Sequence, residues 1–267
     1  MLNLLRCEFA KLRRKPLFFA SAAVSALIPL GCALFLPDFQ QFTSGAEAVD
    51  GMMSTLFQMS AYLLLMPALV VLASNLLFEE QDNDTLKSLM TVPVSKTALA
   101  VAKMALLFLF AIAFMAVGGL AILCIVLAAG WEPVGFWRLF FVGLGQGIMM
   151  WAGALPCILL VVLLNRSYII SVIITFFYTA VNYIFGLNDL FITQPFGLNL
   201  GTLLPGPLTF RWYFQYLDFS NAGAEMQGLL ERVSPYFVTT AQVFLVTGAE
   251  TIVFLALIAL VYKRQGV

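Results

Sequence analysis

An all-α integral membrane protein of six transmembrane helices is the fold this sequence predicts, and three observations predict it. Of 267 residues, 62% are apolar and only 10% charged, whereas soluble domains carry roughly 25% charged residues. Apolar runs of about 20 residues or more recur along the chain, each able to cross a ~30 Å hydrocarbon core. The 14 bases are concentrated in alternate segments between those runs, as expected of a chain that threads a membrane repeatedly.

Residues 1–15 open the chain as an amphipathic interface helix, with Leu2, Leu5, Phe9 and Leu12 in one stripe beside Arg6, Lys11, Arg13, Arg14 and Lys15. An unstructured basic tail that only fixes topology is the alternative. Residues 16–267 read as a single transmembrane domain. Its first span, 17–36, is too long for a cleaved signal core, so it reads as a retained anchor, bent at Pro29. Residues 38–53 form an acidic loop without Lys or Arg, and the second span follows at 56–78 with Pro67 inside it.

The segment 79–97 is the long polar interruption of the first half of the chain. Asp82, Asn83 and Asp84 offer helix-capping acceptors, and Leu86, Leu89 and Met90 follow at helical spacing to give one apolar face. Pro93 stops this short helix. Ser95 or Thr97 can cap the next one, with Lys96 and Lys103 where a lipid-facing helix leaves the interface. The result is a knob suited to docking into another protein, or else an ordinary amphipathic inner loop.

The third span is 98–129, longer than a perpendicular crossing needs. Gly130 to Pro133 make a turn, and the fourth span, 139–164, carries Gly143 and Gly147 in the small-xxx-small pattern that lets another helix approach, within the chain or from a second subunit. Asn165, Arg166 and Ser167 form an inner turn before the fifth span, 168–187, which contains Asn182. Residues 188–239 are rich in Phe, Tyr and Trp and broken by Pro205-Gly206-Pro207, too apolar for a free loop and too interrupted for a span. Short helices in the outer leaflet fit that pattern. The sixth span is 240–262.

With both termini inside, 11 bases lie on the cytoplasmic side and 3 outside: Arg138, Arg211 and Arg232. Eight acids accompany those three, so the outer face is acidic as well as aromatic, which suits a cationic amphiphile. Exclusion of bases from outer loops by the topology rule alone would give the same balance.

No G-x-x-x-x-G-K-[ST] loop is present, so ATP hydrolysis by that route is excluded. Histidine is absent, no carboxylate cluster has metal-ligand spacing, and the four cysteines imply neither disulfides nor zinc. No metal and no nucleic-acid partner is expected. Glu250 is the sharpest single residue, an acid near the middle of the sixth span. At that depth it must be shielded, paired or protonated, either in the protein interior against Asn182, Gln146 or a hydroxyl, or along a polar translocation path.

Two stretches carry a resemblance. The acids Glu79 and Glu80, then Thr85-Leu86-Lys87, Leu89, Pro93-Val94 and Ser95-Lys96, resemble the coupling-helix region of ABC-2 type transporter permeases. The N-terminal Leu4-Leu5-Arg6-Cys7-Glu8-Phe9-Ala10-Lys11-Leu12-Arg13-Arg14 is similar to the start of small bacterial permeases of the lantibiotic-immunity and bacitracin-resistance type. The resemblance implies a non-catalytic permease subunit of the bacterial cytoplasmic membrane. Paired with a second permease, identical or homologous, it would press a coupling helix into one of two ABC ATPase subunits, which alone bind ATP and Mg. It further implies re-entrant helices before the last span and export of an amphiphilic cationic peptide from membrane lipid.

Carried over by position, Leu86, Leu89 and Met90 would be the knob within a motif completed by Thr85, Lys87 and Pro93. Glu79 and Glu80 would brace its start, and residues 1–15 would form the connecting helix. The rivals are an ABC-2 permease for a lipid, drug or ion, and an ATP-independent ion or secondary transporter. The latter would need more intramembrane polar groups than Glu250 and its few neighbours.

Overall fold

The computed structural model describes residues 2–12, 16–35, 42, 44–82, 95–164, 168–219 and 223–264, and these are helical nearly throughout, with no strand among them. Helix α1, Leu2–Leu12, packs along the third long helix. The contact face differs from the expected stripe: Leu4 is half-buried and Glu8 buried, while Phe9 is exposed. The helix therefore meets the bundle through one face and presents Phe9 on another, the two-faced arrangement of an interfacial helix.

Helix α2, Pro16–Phe35, contains Pro29 and leans on the same long helix, where Ser25 Oγ donates 2.6 Å to the Phe114 carbonyl. Residues 44–53 do not form the expected loop. Ser44 caps a helix by accepting from the Glu47 amide at 3.3 Å, and Ala48, Val49, Met52 and Met53 bury one face of Gly45–Thr55. The acids Glu47 and Asp50 made this stretch look loop-like, yet they occupy the other face of an amphipathic turn.

That segment runs without a break into a π-helix, Leu56–Leu65, and then into α-helix Met66–Asp82; together these form α3. At the junction the Met66 amide bonds to the Ala61 carbonyl, a five-residue step. Pro67 explains the wider turn, because its ring would strike the carbonyl four residues back and it offers no N–H of its own.

Helix α4, Lys96–Ala128, spans about 50 Å at 1.5 Å per residue and is capped by Ser95, one of the two expected caps, which accepts from the Ala98 amide at 3.2 Å. Gly130 and Gly135 take φ of +79° and +76° in the turn that follows, a backbone region open to glycine at little cost. Helix α5, Phe136–Leu164, lies at the centre of the bundle, and α6, Tyr168–Leu187, flanks it. Gly143 meets the Phe57 ring and Gly147 the Ala111 backbone, so both glycines admit neighbours within this chain.

The aromatic segment contains the expected short helices: α7, Asp189–Ile192; α8, Leu200–Leu203; α9, Pro205–Tyr213; and α10, Ala224–Val233. The last helix, α11, is Thr240–Arg264. Among the described residues, four helices are long and apolar enough to cross a membrane: Gly45–Phe78, Lys96–Ala128, Phe136–Leu164 and Thr240–Lys263. The other two of the six expected spans coincide with α2 and α6, whose apolar stretches Ala23–Phe35 and Ser171–Leu187 are shorter.

Candidate functional site

Three regions bring polar chemistry into an otherwise apolar bundle. The first is the seat of α9. Every residue of this helix is buried, an all-round burial that its own sequence, with Pro205 and Pro207 in its first turn and Thr209 and Arg211 after them, would not suggest. Tyr62, on the π-helix, donates 3.0 Å to the Gly206 carbonyl and bonds the Thr209 hydroxyl. From the other side, Asn182 Oδ1 accepts from the Gly206 amide at 3.3 Å while its Nδ2 donates 2.9 Å to the Tyr178 carbonyl.

Tyr178 in turn donates 2.6 Å to the carbonyl of Gly153. A side chain at Gly206 would run into the Asn182 carbonyl, and one at Gly153 into Pro205, so glycines at both positions let α9 sit against α5 and α6. Gln146 Nε2 donates 3.4 Å to the Phe57 carbonyl nearby. In hydrocarbon, where no water competes, such bonds contribute about 0.6 kcal/mol each on average.

Arg211 was counted among the outer bases, but it is fully buried. Its guanidinium donates to the carbonyls of Gln194 and of Gly201, the latter at 2.8 Å, and to the Thr202 hydroxyl at 3.2 Å. It clasps the loop around α8 onto α9. The other two outer bases are partnered at the surface: Arg138 donates 2.7 Å to the Tyr216 carbonyl, and Arg232 lies 3.7 Å from Asp189.

The second region is an outer cavity of about 220 Å³ between the start of α3 and the residues after α9. Glu47, Asp50 and Asp218 share its wall with Phe42, Phe219 and Met226. Asp50 Oδ1 accepts from the Asp218 amide at 3.3 Å, which holds the two walls together. Arg138 lies near enough to Asp50 to offset part of its charge.

The third region lies around Lys103, near the start of α4. Lys103 was expected to snorkel to the interface, but it is fully buried. Its ammonium donates to the Leu76 carbonyl of α3 and stands 5.8 Å from the Tyr262 ring of α11. Packing of α1, α3 and α11 around α4 closes water off from the ammonium, so it bonds a backbone carbonyl instead.

Thr85, Leu86, Lys87, Leu89, Met90 and Pro93 lie outside the described residues, and for Glu79 and Glu80 only the helical backbone at the end of α3 is described. Glu250 is half-buried on α11, with Tyr178 within electrostatic reach. Asn182 has both ends of its amide engaged with backbone at the seat of α9, whereas Gln146 engages the Phe57 carbonyl through Nε2 and leaves its buried Oε1 without a hydrogen bond. The three intramembrane polar candidates thus converge on the α5–α6 side without forming one cluster.

Sequence reasoning missed Tyr62, Thr209, Arg211 and Lys103 as structural ties. Gly206 between two prolines was a legible signal for close backbone approach; the others needed the fold. A family profile described as ABC-2 family transporter protein matches residues 4–182, about two thirds of the chain, and a search of curated proteins returns no match.

Proposed function

Because the chain belongs to the ABC-2 family of transporter proteins, it is the membrane permease of an ABC transporter working with an ABC ATPase subunit, and we propose that its cargo is an amphiphilic cationic peptide antibiotic. The observation that carries the cargo reading is the outer cavity. Carboxylates of Glu47, Asp50 and Asp218 beside Phe42, Phe219 and Met226 offer a cation and its apolar flank complementary surfaces in one recess.

In this reading six helices cross a bacterial cytoplasmic membrane with both termini inside. Residues 79–97 meet the ATPase through Leu86, Leu89 and Met90, braced by Glu79 and Glu80. Two such permeases, identical or homologous, act with two ATPases, and their closure around ATP drives expulsion. The 11-to-3 partition of bases supports the orientation, although burial of Arg211 removes one outer base from the exposed count and makes the outer face more acidic still. Glu250, with Asn182 and Gln146 deeper in the bundle, would line or shape the path.

The test has two arms. Tagged chain purified from its native host should bring a P-loop ATPase with it, identified by mass spectrometry. The pair, expressed in a sensitive bacterium, should raise the inhibitory concentration of a lantibiotic or bacitracin several-fold, and E47Q/D50N should remove most of that protection. Co-purification without protection, or protection indifferent to the double substitution, would overturn the cargo assignment and leave the permease reading standing. Purification of a stable chain with no ATPase would overturn the coupling reading.

A further inference from the structure

Helix α11 is the least embedded of the long helices, and its buried residues fall in two groups. Val243 and Thr247 anchor the first part; Ile258 and Tyr262 anchor the last. Between them lie Gly248, where an added side chain would meet open space, and half-buried Glu250, with exposed Leu245, Ile252 and Val253 around them. The helix is thus most deeply buried toward its two ends, while between them Val246, Phe254 and Leu255 are half-buried against the core on the side away from the exposed residues.

The inner anchor stands against a buried cation. Tyr262 is 2% exposed, and the Lys103 ammonium, 5.8 Å from its ring, also donates to the Leu76 carbonyl. Leu76 is six residues before Asp82, the last described residue of α3, and Lys103 is seven residues after Lys96, the first of α4. One side chain therefore touches both stems of the segment 83–94 and the last helix at once. Nearby, α1 lays its buried Glu8 side along α4.

A methionine would fill similar space without taking an ammonium out of water, and buried charges are a poor source of stability. What the lysine adds is directionality: a point charge with three donors, bonded to one helix and attracted to the π-face of another.

We propose that Lys103 is a positioning residue that makes α11 move with the stems of the inner loop, so that displacement of that loop by the ATPase is passed through Tyr262 to the level of Glu250. Glu250 lies 12 residues from Tyr262, about 18 Å along the helix. This inference rests on the permease reading, in which 83–94 is where the ATPase pushes.

The test uses the complete permease–ATPase complex in lipid nanodiscs, with hydrogen–deuterium exchange followed by mass spectrometry, in the absence of nucleotide and after trapping with ATP, Mg and vanadate. In the unaltered complex, trapping should change exchange in peptides covering 253–264 as well as in those covering the inner ends of α3 and α4. K103M should keep the response of α3 and α4 and lose at least threefold of the α11 response, and K103R should restore it.

An α11 response in K103M equal to that of the unaltered complex would overturn the proposal. If K103M does not assemble, Y262L, which keeps the lysine and its bond to Leu76, carries the same test: loss of the α11 response alone supports the proposal and an unchanged response overturns it. Failure of any ATPase to co-purify would instead remove the permease reading, and this inference with it.

Discussion

The seat of α9 and the part of the bundle around Lys103 are held together by different means. Around α9 a set of neutral hydrogen bonds runs from Tyr62 through Gly206 and Thr209 to Asn182, Tyr178 and Gly153, and Arg211 fastens the loop before it. Most of these bonds end on backbone carbonyls or amides, so they position chain rather than side chains. Around Lys103 the described polar contacts between long helices are fewer: its ammonium bonds the Leu76 carbonyl beside the Tyr262 ring, and Trp151 Nε1 donates 3.1 Å to the Met104 carbonyl. Many short-range bonds make a rigid seat, because each must be broken before any can relax; one long, flexible side chain makes a joint that transmits force yet can pivot.

That contrast can be broken, and the largest effect is expected at the tightest approach of the outer seat. G206V would drive a branched side chain into the Asn182 carbonyl and should cost about 3 kcal/mol, seen as loss of folded protein in a thermal-stability assay in detergent. R211M leaves the Gln194 and Gly201 carbonyls and the Thr202 hydroxyl without their donor. It should cost about 2 kcal/mol and expose residues 194–202 to added protease.

Y62F removes one hydroxyl from the same network and should cost about 1 kcal/mol by the same thermal assay. K103M removes the bond to the Leu76 carbonyl and should cost about 1 kcal/mol by the same assay. A much larger loss would show the bundle around Lys103 to be held as rigidly as the seat of α9. The smallest effect belongs to R232A, whose partner Asp189 is exposed; it should cost under about 0.5 kcal/mol and vanish at high salt.

Part of the candidate site was legible without coordinates. Glu250 stood out because an acid in an apolar run has no cheap explanation; in the structure it is half-buried on the last helix. The run 98–129 was recognisable as one long helix by length and apolarity, and Ser95 as its cap by chemistry. Lys103 was misread for a physical reason: a lysine near the end of an apolar run ordinarily reaches for the interface, and nothing local reveals that α1, α3 and α11 close over it. Arg211 was misread in the same way, as a surface charge in an outer segment.

Residues 44–53 show the converse. Their acids suggested a loop, whereas the spacing of Ala48, Val49, Met52 and Met53, once a neighbour is available to cover them, makes a helix.

By itself the sequence determined that the chain is helical and membrane-embedded, where its apolar runs lie, and how unevenly its bases are spread between them. These follow from composition and spacing, since hydrocarbon accepts only backbone that satisfies its own hydrogen bonds. Only the tertiary structure decided that α9 is buried on all sides, that Pro67 is answered by a π-helix upstream, and that Arg211 and Lys103 leave the surface for the interior. Each of those outcomes depends on groups far apart in the chain arriving at one place, and a carbonyl that waits for a distant cation leaves no mark on the residues beside it.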